Sequence, residues 1–187
     1  MKTARVMMIL LAVLVTGLPV LAQQKGDSAM PQMPSFGPPA EMQQVAKFVG
    51  TWKFQGEMRM DPTKEWTKSE ATCVFSYVAG GAALQMEYTG PMMGMEMKGL
   101  GLTGFDRETG KWQSIWTDNL AGRISYYEGD FKDGKLVVTG KDTMQGMTMY
   151  TRMTDYDITD KTIQWMMESS MDGQTWAPVM RGTYTKQ

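Results

Sequence analysis

From Thr51 to the C-terminus, hydrophobic and polar residues alternate with a period of two, the mark of strands with one buried face. Trp52, Phe54, Met58 and Met60 alternate with Lys53, Gln55, Glu57 and Arg59. The same alternation sets Cys73, Phe75 and Tyr77 on one face, then Leu84, Met86 and Tyr88, then Met95 and Met97. Further along come Trp112 and Trp116, Ile124 and Tyr126, Leu136 and Val138, and Met147, Met149 and Met153. Ile163, Trp165 and Met167, then Trp176, Met180 and Tyr184, close the series. Gly80-Gly81, Thr109-Gly110, Asp133-Gly134, Gln145-Gly146 and Asp172-Gly173 lie between these segments and tolerate the positive φ of tight turns. Links this short join sequence neighbours antiparallel. About ten strands in such a meander strain an open sheet, and closing it removes both edges. The pattern therefore predicts an all-β fold: an antiparallel up-and-down barrel of about ten strands, with room inside for side chains or one small ligand. Gly99, Gly101 and Gly104 predict a sharp bend or the close approach of another group, and Pro178 a bulge or an edge.

Residues 40–49 change period. Met42, Val45, Ala46 and Val49 have helical spacing, and Pro38-Pro39 and Gly50 bound a short N-terminal helix. Upstream, residues 23–39 hold Pro31, Pro34, Pro38 and Pro39, half of the 8 Pro in the chain. Proline lacks an amide donor and favours extended backbone, so a disordered Pro-rich linker is expected there. Residues 1–22 have the layout of a secretory signal peptide: Lys2 and Arg5, an apolar run over 6–15, a break at Gly17 to Pro19, and a small residue at Ala22. That run is shorter than the roughly 20 residues a spanning helix needs. The expected plan is a signal peptide over 1–22, the linker over 23–39 and a barrel over 40–187. It implies export to a periplasmic or extracellular space, with no membrane attachment after cleavage near Ala22.

Composition narrows the chemistry. With 19 Lys+Arg against 20 Asp+Glu in 187 residues, no basic face for nucleic acid is expected. The chain has no His, which removes the commonest general base and metal ligand. Its one Cys allows neither an intrachain disulfide nor a thiolate zinc cluster. Cys73 shares a face with Phe75 and Tyr77 and is expected to be buried and inert. Ser-His-Asp and Cys-His catalysis are excluded without His, and no spacing singles out a pair of carboxylates. Asp155, Asp157 and Asp160 are acidic like a calcium loop but lack its Gly and terminal Glu. An enzyme is not predicted; a binding protein is.

Gly50-Thr51-Trp52 resembles the G-x-W motif of lipocalin-like (calycin) barrels. The resemblance implies that Trp52 packs across the closed end against an Arg of the last strand, here Arg181, by cation–π contact. A longer stretch is more specific. Gly99-Leu100-Gly101-Leu102-Thr103-Gly104-Phe105-Asp106, Lys111-Trp112 and Trp116-Thr117-Asp118 follow the pattern G-x-G-x-x-G-(aromatic)-D, K-(aromatic), W-x-D. This is similar to a bacterial, commonly secreted family of unknown function with a lipocalin-like barrel. The resemblance spans roughly residues 48–186 and implies the fold but no activity. Some related barrels bind haem through a His that this chain lacks. The glycines are not a dinucleotide fingerprint, because a turn and not a helix follows them.

The candidate pocket is Tyr88, Trp112, Trp116, Asp118, Tyr126 and Trp165. Facing inward, these residues make an aromatic-lined site with one carboxylate, suited to a small, largely apolar ligand. Asp118 has a second reading as a turn cap ahead of Gly122. Arg123 and Arg152 could pair with it, hold an anion or face solvent. The 21 Met have three readings, one of them as sacrificial antioxidants. An unbranched thioether fills irregular interior space, whereas the pairs Met95 and Met97, and Met147 and Met149, offer soft ligands for Cu(I) or Ag(I). A third function class is a protein-interaction module presenting the Met loop from Gly90 to Gly94. The domain is expected to be monomeric.

Overall fold

The structure is a computed structural model and describes residues 36–187 except Met60, Pro62 and Gln145. The segment expected to be a signal peptide, and residues 23–35 of the expected linker, lie outside the described residues. Among those described, no helix is long and apolar enough to cross a membrane. The chain enters through a short 3-10 helix, Ala40–Phe48, followed by β1 (Gly50–Met58), β2 (Thr67–Val78), β3 (Ala83–Met92), β4 (Met95–Asp106) and β5 (Lys111–Asp118). β6 (Ile124–Lys132), β7 (Lys135–Met144), β8 (Met147–Tyr156), β9 (Thr162–Ser170) and β10 (Ala177–Lys186) complete it. Each strand pairs antiparallel with the next, and β1 pairs with β10, closing the barrel. The predicted all-β, up-and-down architecture is the one observed.

The first helix differs in kind. Met42, Val45 and Phe48 are its buried residues, a spacing of three. A 3-10 helix has three residues per turn, so these positions line up along one edge; α-helical spacing puts Ala46 in that set, and Ala46 is exposed. The Tyr77 hydroxyl donates to Met42 O at 2.6 Å and ties this edge over one end of the barrel. The compact unit that holds the barrel also includes residues before Ala40. Pro39 is buried, and Arg107 donates to Gly37 O at 2.9 Å. The last residues assigned to the linker are therefore docked.

Register fixes which residues face inward. Trp52 and Phe54 oppose Cys73 and Ala71, Phe75 and Tyr77 oppose Met86 and Leu84, and Phe54 opposes Tyr184. The inner wall is aromatic towards the helix end and methionine-rich towards the far end. At the helix end Phe54 packs on Tyr184 (4.9 Å between centroids) and on Trp165 (5.8 Å). Trp112 sits between Phe105 and Phe131. The register slips between Pro178 and Met180, the bulge that Pro178 forecasts. The β3–β4 link is a two-residue turn in which Met93 and Gly94 both have positive φ, the geometry of a type I′ hairpin. Gly90 lies within β3 and faces Ala71, so the Met loop predicted over Gly90 to Gly94 shrinks to Met93 and Gly94.

Candidate functional site

The inner wall is the candidate site, and its mid-section follows from the glycines of β4. A Cβ on Gly99 would lie 2.2 Å from Trp116 Cη2, and one on Gly101 would lie 3.6 Å from the same ring. Trp116 therefore lies flat over bare backbone, which only glycine at position 99 permits. Its Nε1–H donates to Asp118 Oδ2 at 2.9 Å. Asp118 Oδ1 accepts the amides of Leu120 (2.8 Å) and Ala121 (2.7 Å). Asp118 therefore faces inward and also caps the turn into β6. Desolvation pushes its carboxyl up, but the Ala121 amide, the Trp116 indole, the Leu120 amide and the Arg123 charge together hold it below the ordinary value. Gly99→Ala should displace the Trp116 ring, break the bond to Asp118 and cost about 1–3 kcal/mol as an overpacked site. Urea unfolding and the near-ultraviolet dichroism of the tryptophans would check this.

Of the other predicted pocket residues, Tyr88 packs edge-on against Trp116 at 6.0 Å. Trp112 also faces inward but is fully enclosed at the helix end. Trp165 faces the lumen beside Phe54. Tyr126 does not belong: it is 49% exposed and donates to Glu128 on the outer wall at 3.0 Å. Its neighbour Tyr127 is 6% exposed and faces inward with Ser125. β6 carries aromatic residues at both parities, so alternation alone does not choose its inner face.

The barrel-closing pair also changes. Trp52 is fully buried and donates Nε1–H to Phe48 O at 2.6 Å, but the cation over its ring is Lys186, at 5.1 Å. Register explains the exchange, since Trp52 opposes Lys186 whereas Arg181 opposes Glu57. Arg181 faces outward, pairs with Glu57 at 2.5 Å and lies 4.6 Å from the Trp66 ring.

The four methionines named as a metal set separate. Met95 and Met97 are on β4, Met147 and Met149 on β8, with β5, β6 and β7 between them. All four have inward parity at the far end, but Met95 and Met147 are 53% and 56% exposed there, and Met97 is buried. Met92 directly opposes Met95. Arg152 pairs with Glu168 at 2.7 Å, and Arg123 lies 3.8 Å from Asp142.

Met86, Trp116, Met153, Trp165 and Met167 point inward by register, pack against the core and stay partly accessible. Cys73 lines the same wall, and burial pushes its thiol up to about 12, so it is neutral and unreactive at ordinary pH. Two shallow grooves of about 570 Å³ and 420 Å³ lie on the outer wall, lined largely by charged and polar side chains such as Glu57, Lys68, Glu87 and Lys98. Both are open to solvent and enclose little, so the inner wall is the better candidate.

One lumen residue escaped prediction. Asp155 faces inward from β8, between Leu136 of β7 and Trp165 of β9. Burial pushes its carboxyl up from 3.8 to about 7. Tyr184, whose hydroxyl burial also pushes well up, senses Cys73, Asp155 and Tyr88. Those groups therefore surround one interior space.

Residues 37–186 match the family described as "Protein of unknown function (DUF1579)". The chain belongs to that family. The DUF1579 match covers the whole barrel and begins at Gly37, where the docked segment begins. No curated protein matches the chain. Among solved structures, the chain is similar to Rv2717c from M. tuberculosis, at 12% identity and a TM-score of 0.58 over 80% of this chain and 99% of that one. At that identity the likeness concerns the fold alone. A protein of unknown function from the DUF3598 family of Nostoc punctiforme aligns at 7% identity over 80% of this chain and 100% of that one, but its TM-score of 0.26 carries no argument. In this DUF1579 chain the glycine, W-x-D and K-(aromatic) motifs have structural work. Gly99 seats Trp116, Trp116 holds Asp118, and Lys111 pairs with Asp130 at 2.9 Å on the outer wall while Trp112 plugs the core.

Proposed function

We propose that this DUF1579 barrel is a non-catalytic binding protein that holds a small, largely apolar ligand in its lumen. The observation that carries the reading is the partly accessible inward surface of Met86, Trp116, Met153, Trp165 and Met167. Aromatic faces supply large, rigid contact area, and thioethers adapt to the shape that arrives. Trp116 and Trp165 report on such a ligand directly. A panel of uncharged aromatic and aliphatic compounds should include one that changes their emission saturably. Thr151, which faces the lumen between Met149 and Met153 and opposes Gly140 and Ser169, offers a way to fill the space. Thr151→Phe should weaken binding at least tenfold with the melting temperature little changed. A flat response across the panel would sink the proposal.

A second reading rests on the far end, where Met92 opposes Met95 and Met97 is one inward step below. Three thioethers on one hairpin suit Cu(I) or Ag(I). Titration of Cu(I) under reducing conditions into a variant with these three replaced by Leu should show lost affinity; unchanged affinity rejects this reading.

A further inference from the structure

Three carboxylates face the lumen among the described residues, and two of them are satisfied. Asp118 accepts from Trp116, Leu120 and Ala121. Asp142 accepts from Ser125 at 3.0 Å and lies 3.8 Å from Arg123. Asp155, opposite Leu136 and Trp165 towards the aromatic end, has no hydrogen bond and no ion pair with any described residue. Two more polar atoms of the wall, Ser69 Oγ and Tyr88 OH, are buried and face each other, with no other hydrogen-bond partner among the described residues. Among the described residues the cations on the inner side are committed elsewhere: Lys186 lies over Trp52 at the helix end, and Arg123 lies beside Asp142. An unpaired interior carboxylate is costly unless something arrives to pair with it.

We infer that the ligand of the lumen is an organic amine, with its protonated nitrogen on Asp155 and its apolar body along the Trp165 and methionine wall. This rests on the binding function proposed above and specifies its ligand class. The chemistry fits from three sides. The carboxylate supplies the counter-charge and the strong, charge-assisted hydrogen bond. Tyr184, Phe54 and Trp165, mutually packed at 4.9 and 5.8 Å, present aromatic faces that attract a cation. An ammonium has further N–H donors to give, and the Ser69 and Tyr88 hydroxyls line the same interior. An anionic head is disfavoured, because the free interior charge is negative.

The groups facing Asp155 are neutral across the working range. Leu136 and Trp165 flank it; Tyr184 and Tyr88 have hydroxyls raised by burial, and Cys73 ionises only at about 12. Asp155 is thus the group in this space that changes charge near neutrality.

The test compares dodecylamine, 1-dodecanol and dodecanoate, below their aggregation concentrations, by tryptophan fluorescence of the full chain at pH 8 in 0.15 M salt. The expected result is dodecylamine binding at least tenfold tighter than dodecanol, with dodecanoate weakest. Asp155→Asn should erase the amine preference and leave dodecanol unchanged. Should that variant not fold, the unmodified chain still decides: amine affinity should fall about tenfold from pH 8 to pH 5.5 while dodecanol stays level. Equal affinity for amine and alcohol, a preference that survives Asp155→Asn, or a level amine profile overturns the inference but leaves the lumen as an apolar site. Failure of all three compounds to bind overturns the binding function itself.

Discussion

Asp155→Asn should raise the melting temperature by about 10 °C at pH 8 and by very little at pH 4, for a domain of this size. The reason is linkage. An unfolded Asp ionises near 3.8, and burial in the barrel raises Asp155 to about 7. A raised carboxyl destabilises the fold wherever the unfolded chain has already given up the proton that the native state still holds. That penalty begins as pH rises through 3.8, grows until about 7 and is constant above it, where it reaches about 4 kcal/mol. Asn keeps the shape and removes the charge, so it should recover up to that amount at alkaline pH. Thermal unfolding of both proteins between pH 4 and pH 8 checks this, and curves that stay parallel across that range would refute it. The same experiment gains a second readout from an amine ligand. Neutralising the carboxylate by binding should raise the melting temperature of the native chain more than that of the variant.

Trp52→Ala should destabilise by about 3–5 kcal/mol, the range for deleting a large buried aromatic. Trp52 is fully buried, packs under the 3-10 helix, donates to Phe48 O at 2.6 Å and carries Lys186 on its ring. Removing it opens a cavity and leaves the Phe48 carbonyl without that donor. Lys186→Ala should cost far less, since a partly exposed cation–π contact contributes about 0.5–1 kcal/mol. Arg181→Ala should leave the helix end unaffected, because Arg181 pairs with Glu57 and Trp66 elsewhere. Denaturant titration of the three variants separates these roles. A large loss from Arg181→Ala with little from Trp52→Ala would contradict the assignment.

The fold was readable from alternation because a barrel wall has one wet and one dry face. Trp52, Phe54, Cys73, Phe75, Leu84, Met86, Val138 and Ile163 all sit where parity places them. β6 was not readable, because Ile124 and Tyr126 compete with Tyr127 and Phe131 at opposite parities. The Trp52 partner was missed for a different reason. Which cation reaches the ring depends on the β1–β10 register, a pairing of chain ends that no local pattern records. Asp155 could have been found. It lies two residues after Met153, on the same parity as Met149 and Met153, and a carboxylate on a dry face is a conspicuous exception. Its neighbours Asp157 and Asp160 drew attention to acidity instead of to parity.

Closure gives the molecule an unusual division of labour in folding. Nine of the ten strand pairings described join neighbours in sequence, and only β1 with β10 joins the ends. Local hairpins close short loops quickly, whereas the seam must bring together residues more than a hundred apart, and non-local contacts of that kind slow folding. The lumen comes into existence as an enclosed space only when that seam zips. If the carboxylate of Asp155 loses water as that seam closes, the rate of seam formation, more than that of hairpin formation, should fall as pH rises from about 4 towards 7 and level off above it.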